Sequence, residues 1–167
     1  MEDFEKVFRD NVSRIYRLSF QYLGNPDAAE DATQETFLRA LRSEKKFEHS
    51  SDISTWLFRI AVNVCLDGIR QNKRRRTECL HTLPEQTLKH SAQGDFEKLD
   101  LQRRVRIAVN ALPSRLRILV VLREFEDLSY HEISSITGLS IGTISSRLNR
   151  ARLQIARVFQ KEFRRDL

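Results

Sequence analysis

One segment of this chain admits few folds. Wound as an α-helix, the stretch from Trp56 to Arg74 spreads Leu57, Phe58, Ile60, Ala61, Val62, Val64, Cys65, Leu66 and Ile69 over most of its circumference. A single narrow stripe stays polar: Trp56, Arg59, Asn63, Asp67, Arg70 and Arg74. A helix that is apolar on so many sides must be buried on them. No sheet is available for the task, because apolar and polar residues nowhere alternate with period two. The enclosing elements must be helices. Few glycines and prolines (5 and 3 in 167 residues) and a charged fraction of 31% agree with an all-α fold.

Helical spacing starts near the N-terminus, with Phe4, Phe8, Val12, Ile15, Leu18 and Tyr22. Gly24 is a natural C-cap, and Asn25 and Pro26 suit the N-cap and first turn of a second helix, "DAAEDATQETFLRALRS". The polar stretch "EKKFEHSSDIS" reads as a loop, and the third helix runs roughly from Thr55 to Arg76. Gly68 inside it costs about 1 kcal/mol against alanine. Periodicity disappears over residues 78–95 and resumes with Leu101, Val105, Ala108 and Leu112. Pro113 then opens the helix "SRLRILVVLREF". The expected architecture is two small helical domains, 1–77 and 96–167, joined by a flexible linker, 78–95.

The second domain ends in "LSYHEISSITGLSIGTISSRLNRARLQI". Gly138 can take a positive φ, Leu139 faces inward, and Ser140 can cap the last helix. Small Ser134 lets the two flanking helices approach. This is a helix-turn-helix pattern, in which the second helix enters the major groove. One face of that helix carries Ile144, Leu148, Ala151, Ile155 and Val158, and the opposite face is polar. Between Ile141 and Lys161 there are five basic residues and no acidic one, whereas a merely solvated helix mixes signs. Thr143, Ser145, Ser146, Arg147, Asn149 and Arg150 are the candidates for reading bases and phosphates.

The polar stripe of the third helix joins an aromatic ring, an amide and several arginines. Stacking surface, hydrogen bonds and cationic charge are what an unstacked nucleic acid strand requires. A partly buried core tryptophan beside a solvated helix end accounts for the same residues. The second helix is acidic instead: Asp27, Asp31 and Glu35 recur at four-residue spacing, with Glu30 and Gln34 beside them. That face suits a basic protein partner, or the positive end of its own helix dipole.

A net charge of +6 and a pI near 9.7 favour an anionic partner. With a charged N-terminus no signal peptide is expected, and no apolar run reaches membrane-spanning length. Two cysteines, Cys65 and Cys79, without C-x-x-C spacing, suit a reducing cytosol. The four histidines are scattered, and "HEISS" lacks the second histidine of a zinc protease motif. No catalytic site, metal site or cofactor is expected.

Three motifs, "DAAEDATQETFLRA", "STWLFRIAVNVCLDGIR" and "LPSRLRILVVLREFEDLSYHEISSITGLSIGTISSRLNRAR", make the chain resemble a bacterial sigma factor of the extracytoplasmic-function group, within the sigma-70 superfamily. The resemblance covers nearly the whole chain. It implies a transcription initiation factor that works in the cytoplasm and brings core RNA polymerase to specific promoters. Asp27, Ala29, Glu30, Asp31, Gln34, Glu35 and Phe37 would fall on the helix that grips the β′ clamp. Phe47 to Ser54 would fall on the loop that captures a flipped base of the −10 element, making His49, Ser51, Asp52 and Ser54 its polar candidates. Trp56, Arg59, Asn63 and Arg70 would lie near the separated strand, and the last helix would read the −35 element. The implied partners are core RNA polymerase, through the β′ clamp and β flap, promoter DNA, and an anti-sigma factor. The family usually has an aromatic where Ile53 stands and often a basic residue where Ser54 stands, so strand opening would be tuned differently here. Several relatives have arginine at the position of Ser145 and an aromatic at that of Asn149, which implies a different −35 preference.

A stand-alone helix-turn-helix regulator would explain residues 96–167 and leave the Trp56 stripe and the acidic helix unexplained. A single-strand or RNA-binding module would explain the stripe and leave the helix-turn-helix unexplained. An enzyme fits least.

Overall fold

The computed structural model of the chain describes residues 4–43, 52–78 and 96–163. Within them every regular element is helical. Three helices form the first domain: α1 (Phe4–Leu23), α2 (Pro26–Ser43) and α3 (Ile53–Glu78). The second holds α4 (Phe96–Asn110), α5 (Ser114–Val120), a π-helical turn (Val121–Phe125), α6 (Tyr130–Thr137) and α7 (Ile141–Phe163). Glu78, expected to begin the linker, still belongs to α3; the rest of that stretch lies outside the described residues.

The α1–α2 hairpin is built as its composition demands. Gly24 takes φ +73° and its N–H closes on the Phe20 carbonyl at 2.8 Å. The Asn25 side chain then accepts from the N–H of Ala28 at 2.9 Å, satisfying one of the open donors of α2. Helix α1 buries Val7, Ile15, Leu18 and Tyr22. Buried Asn11 donates to the Val7 carbonyl and accepts from Ser54, so its amide is satisfied. The surrounding helices enclose α3 as its pattern requires. Leu57, Phe58, Ala61, Val62, Val64 and Cys65 are buried. Burial also pushes the Cys65 thiol up to about 11, which keeps it protonated at neutral pH. Two expected inward residues stay out: Phe8 is 42% exposed and Leu101 55%. Phe8 packs edge-on against Phe37.

In the second domain the helix expected through Phe125 is not uniform. It is α-helical to Val120 and then widens, with the Glu126 N–H closing on the Val121 carbonyl five residues back. Asp127 follows at φ +53°, a left-handed position that aspartate tolerates better than most residues. Ser129 starts α6 with a complete capping box: its hydroxyl accepts from the N–H of Glu132, whose carboxylate accepts from the N–H of Ser129. Gly138 ends α6 at φ +71°. Ser140 caps the start of α7 by accepting from the Thr143 N–H. Ser134 acts through its hydroxyl as well as its size, donating to the Leu139 carbonyl at 2.7 Å and holding the turn closed.

The two domains do not keep separate cores. Their buried side chains form one contiguous cluster, from Val7 and Phe58 through Leu119 to Ile133, Ile144 and Leu148. The first domain meets the second where α3 lies on α6 and α1 lies on the π turn.

The two contrasting glycines generate a stability test. A methyl group at Gly68 would meet open space, whereas Gly138 holds a left-handed backbone. Gly68→Ala is expected to raise unfolding stability by about 0.5–1 kcal/mol. Gly138→Ala should lower it by about 1–2 kcal/mol. Thermal unfolding followed by circular dichroism measures both.

Candidate functional site

The helix-turn-helix is held from within by Ile133 and Ile136 of α6 against Ile144, Leu148 and Ala151 of α7, all buried. That packing fixes which face of α7 looks outward. Ser145, Ser146, Asn149 and Arg150 are exposed along it, with Arg157 further on. The Ser146 hydroxyl donates back to the Thr143 carbonyl. Thr143 is half-buried and its hydroxyl lies 2.8 Å from that of Ser140, so it belongs to the cap of the helix as well as its outer face. Arg147 is also half-buried and points into a cleft described below. Of the basic residues, Arg152 is already engaged, pairing with Glu124 at 2.8 Å, which raises its pKa. Arg150 and Arg157 have no carboxylate partner among the described residues.

The stripe on α3 is present, and its members differ in environment. Trp56 is half-buried and packs against the core cluster, combining the two roles its position allowed. Arg59, Asn63 and Arg70 are exposed. Asp67 sits between Arg39 of α2, at 3.4 Å, and Arg70, at 3.5 Å. Asp52 and Ser54 have structural duties. The Asp52 carboxylate accepts from the Ser54 N–H, its carbonyl accepts from the Trp56 N–H, and the Ser54 hydroxyl donates to Asn11. Both therefore help to seat the start of α3 on α1. His49 and Ser51 lie outside the described residues.

On α2, Asp27, Glu30, Asp31 and Gln34 are exposed and form one acidic surface. Glu35 differs, because its carboxylate takes the Arg39 guanidinium at 2.6 Å. Arg39 thereby serves two carboxylates on two helices, and the hydrogen bond from Glu35 contributes most to raising its pKa. An apolar groove lined by Phe8, Val12 and Tyr16 runs beside Glu30 and Gln34.

The sequence assigns no role to Glu126, yet it is the most unusual acid among the described residues. Its side chain is fully buried between the domains. Arg17 of α1 donates to both carboxylate oxygens, at 2.8 and 2.9 Å, and the Arg14 guanidinium stands 3.8 Å away. This fork-to-fork hydrogen bonding is the largest influence raising the Arg17 pKa. Nearby, Arg117 donates to the Tyr22, Asn110 and Leu112 carbonyls, and its burial lowers its pKa. Burial also pushes the Tyr22 hydroxyl up to about 12. Nothing in the "REFED" pattern distinguishes Glu126 from a surface acid; only the tertiary contact does.

Comparison with known proteins bears on these surfaces. Residues 7–75 match the sigma-70 region 2 family model, and residues 102–155 match sigma-70 region 4. The ECF RNA polymerase sigma factor SigE of Mycolicibacterium smegmatis is 36% identical over 165 residues, covering 93% of this chain and 61% of that protein. The ECF RNA polymerase sigma factor SigW of Bacillus subtilis is 32% identical, covering 90% and 83%. The chain belongs to the ECF sigma factors. Its role is accordingly that of a promoter-specificity factor for RNA polymerase, and the two matched regions correspond to its two helical domains. The fold agrees with that of the sigma factor RpoE of Bartonella quintana, solved in complex with the anti-sigma factor NepR, at a TM-score of 0.78 and 28% identity over 96% of this chain and 98% of that one. CnrH, solved with the cytosolic domain of CnrY, matches in fold at a TM-score of 0.70 with 21% identity, covering 95% and 88%. In this sigma factor a stand-alone regulator is disfavoured, since region 2 is matched as fully as region 4. No described helix is long and apolar enough to cross a membrane.

The capping box generates a pH prediction for the helix-turn-helix. The hydrogen bonds from Ser129 hold the Glu132 carboxyl below its usual pKa. A depressed carboxylate contributes stability that is full above its unfolded pKa and is lost as pH falls through the folded one. Ser129→Ala should return the Glu132 pKa towards the ordinary carboxylate range in an NMR titration. The variant should melt below wild type at neutral pH, with the gap closing in acid.

Proposed function

We propose that this sigma factor divides promoter recognition between two surfaces and docks on polymerase with a third. In this reading residues 1–77 form the region 2 domain, 96–167 the region 4 domain, and 78–95 the linker. Helix α7 reads the −35 element with Thr143, Ser145, Ser146, Arg147, Asn149 and Arg150. The stripe of α3, with Trp56, Arg59, Asn63 and Arg70, meets the separated strand of the −10 element, together with His49, Ser51, Asp52 and Ser54 before it. Asp27, Glu30, Asp31, Gln34 and Glu35 dock on the basic β′ clamp, and the region 4 domain meets the β flap. The chain supplies recognition and strand opening, while nucleotide chemistry stays with the core enzyme, in the cytoplasm. The RpoE complex with NepR supports assigning an anti-sigma factor as a further partner.

The observation that carries this reading is α7: exposed hydroxyl, amide and guanidinium groups with no acid from Ile141 to Lys161, set on a capped turn against α6. Transcription of fragmented host DNA by core polymerase tests it. Adding the chain should produce discrete transcripts from defined start sites. Unchanged, unspecific transcription would count against it.

Two predictions separate the surfaces. Asp31→Lys should weaken binding to core polymerase by about 2–5 kcal/mol, as expected when one partner of a desolvated charge pair is reversed. It should leave −35 duplex binding intact. Arg150→Ala should cost about 1–3 kcal/mol at −35 and relax the preference at one base pair. Arg157→Ala should weaken all duplexes alike and lower the salt slope by about one. Competition binding with single-base-pair variants of the site distinguishes the two arginines.

A further inference from the structure

The outward line of α7 is built on short side chains. Gly142, Ser146 and Asn149 follow one another there at i, i+4 and i+7, and all three are exposed. Their neighbours on one flank are already engaged. The Thr143 hydroxyl lies 2.8 Å from that of Ser140, and Arg147 turns into the cleft it shares with Asn63, Arg115 and Thr137. The Ser146 hydroxyl folds back on the helix, donating to the Thr143 carbonyl at 3.0 Å. A serine oxygen stands one bond beyond its Cβ, and the polar atoms of an asparagine amide stand two. Groups this short reach base edges only where the helix backbone itself lies deep in the major groove.

Gly142 heads this line, and nothing among the described residues accounts for its missing side chain. Gly24 and Gly138 hold left-handed backbone, which explains them. Gly142 does not: it lies in the first turn of α7, and a Cβ there would meet no atom within 4 Å. Glycine at such a position gives up helix stability that alanine would return. The space left open above it faces away from buried Ile144, Leu148 and Ala151, on the side assigned to DNA.

We propose that Gly142 is the point of closest approach between α7 and the −35 duplex, and that its missing side chain sets the depth at which Ser146 and Asn149 read bases. The inference rests on the assignment of α7 to the −35 element. A Cβ at this point would hold the helix off the duplex by roughly 1.5 Å, one carbon–carbon bond. A hydrogen bond of about 2.9 Å would then stretch past the limit of about 3.5 Å, and the short groups would lose their bases. Arg157, on a long flexible stem further along the helix, would keep its phosphate. The cost of a side chain at position 142 therefore falls on discrimination between sequences and spares sequence-independent attraction.

The test uses core polymerase loaded with the full chain, either wild type or Gly142→Ala. The probe is a promoter fragment found by transcribing host DNA, intact or with its −35 segment scrambled. Gly68→Ala is the control, because it adds the same methyl group to open space on a helix assigned no −35 contact. Circular dichroism of the free chains should find both variants melting a few degrees above wild type. Competition binding should find Gly142→Ala about tenfold weaker on the intact fragment, the loss expected for one good base contact, and unchanged on the scrambled one. Gly68→Ala should match wild type on both. Higher melting with full affinity for the intact fragment would overturn the inference. An equal loss on both fragments would overturn it as well, by making Gly142 a backbone contact that carries no sequence information. If wild type itself binds the two fragments alike, the assignment of α7 to the −35 element falls, and the inference with it.

Discussion

Helix α3 is stable in water only while other helices cover it, and its apolar circumference is wider than a two-helix hairpin can hide. Helices α1 and α2 both pack on α3, with Arg14 of α1 over Phe58 and Ser19 of α1 against Cys65. The side bearing Val62 and Leu66 is left for the second domain, which meets it with Ile136 and Leu139. At about 25 cal/mol per Å² of apolar surface removed from water, this contact is a sizeable driving force for closure. The same helix is thus the core of one domain and the seat of the other. Its remaining polar stripe is the only part that can address a ligand, which is why Trp56, at the stripe's edge, is half in the core.

Charge is distributed with equal economy. Four acids (Asp27, Glu30, Asp31 and Glu35) crowd α2, while α7 has five bases and no acid from Ile141 to Lys161, so the two helices present opposite fields to approaching partners. Between them most ion pairs are exposed and contribute little, with exposed pairs typically worth about 0–1 kcal/mol. Glu35–Arg39–Asp67 ties α2 to α3 in this modest way. Glu126 is the exception, because its burial makes the pairing specific as well as attractive.

Much of this was legible in the sequence, and what was not has physical causes. The buried face of α3, the caps at Asn25 and Ser140 and the left-handed Gly138 follow from periodicity and backbone preference, which are local. The widened turn at Val121–Phe125 has no local signature, since "VVLREF" is equally compatible with an α-helix. Phe8 and Leu101 keep helical spacing and still face solvent, because spacing identifies a face and tertiary packing decides what covers its ends. Asp52 and Ser54 looked like loop groups awaiting a ligand; the fold uses them to seat α3. Glu126 was invisible for the plainest reason. Its partners stand 109 residues away on α1 in the case of Arg17, and no pattern in either segment points to the other.

Gly24 joins these scales at one residue. Its φ of +73° is required by the hairpin of the first domain, and a Cβ there would stand 3.2 Å from the Asn110 side chain of the second. Any other residue would therefore meet a backbone cost in every state of the molecule and a steric cost only when the domains are together. Position 24 is a built-in gauge of domain separation: the difference between those two costs measures how tightly the halves are pressed, with no label and no partner required.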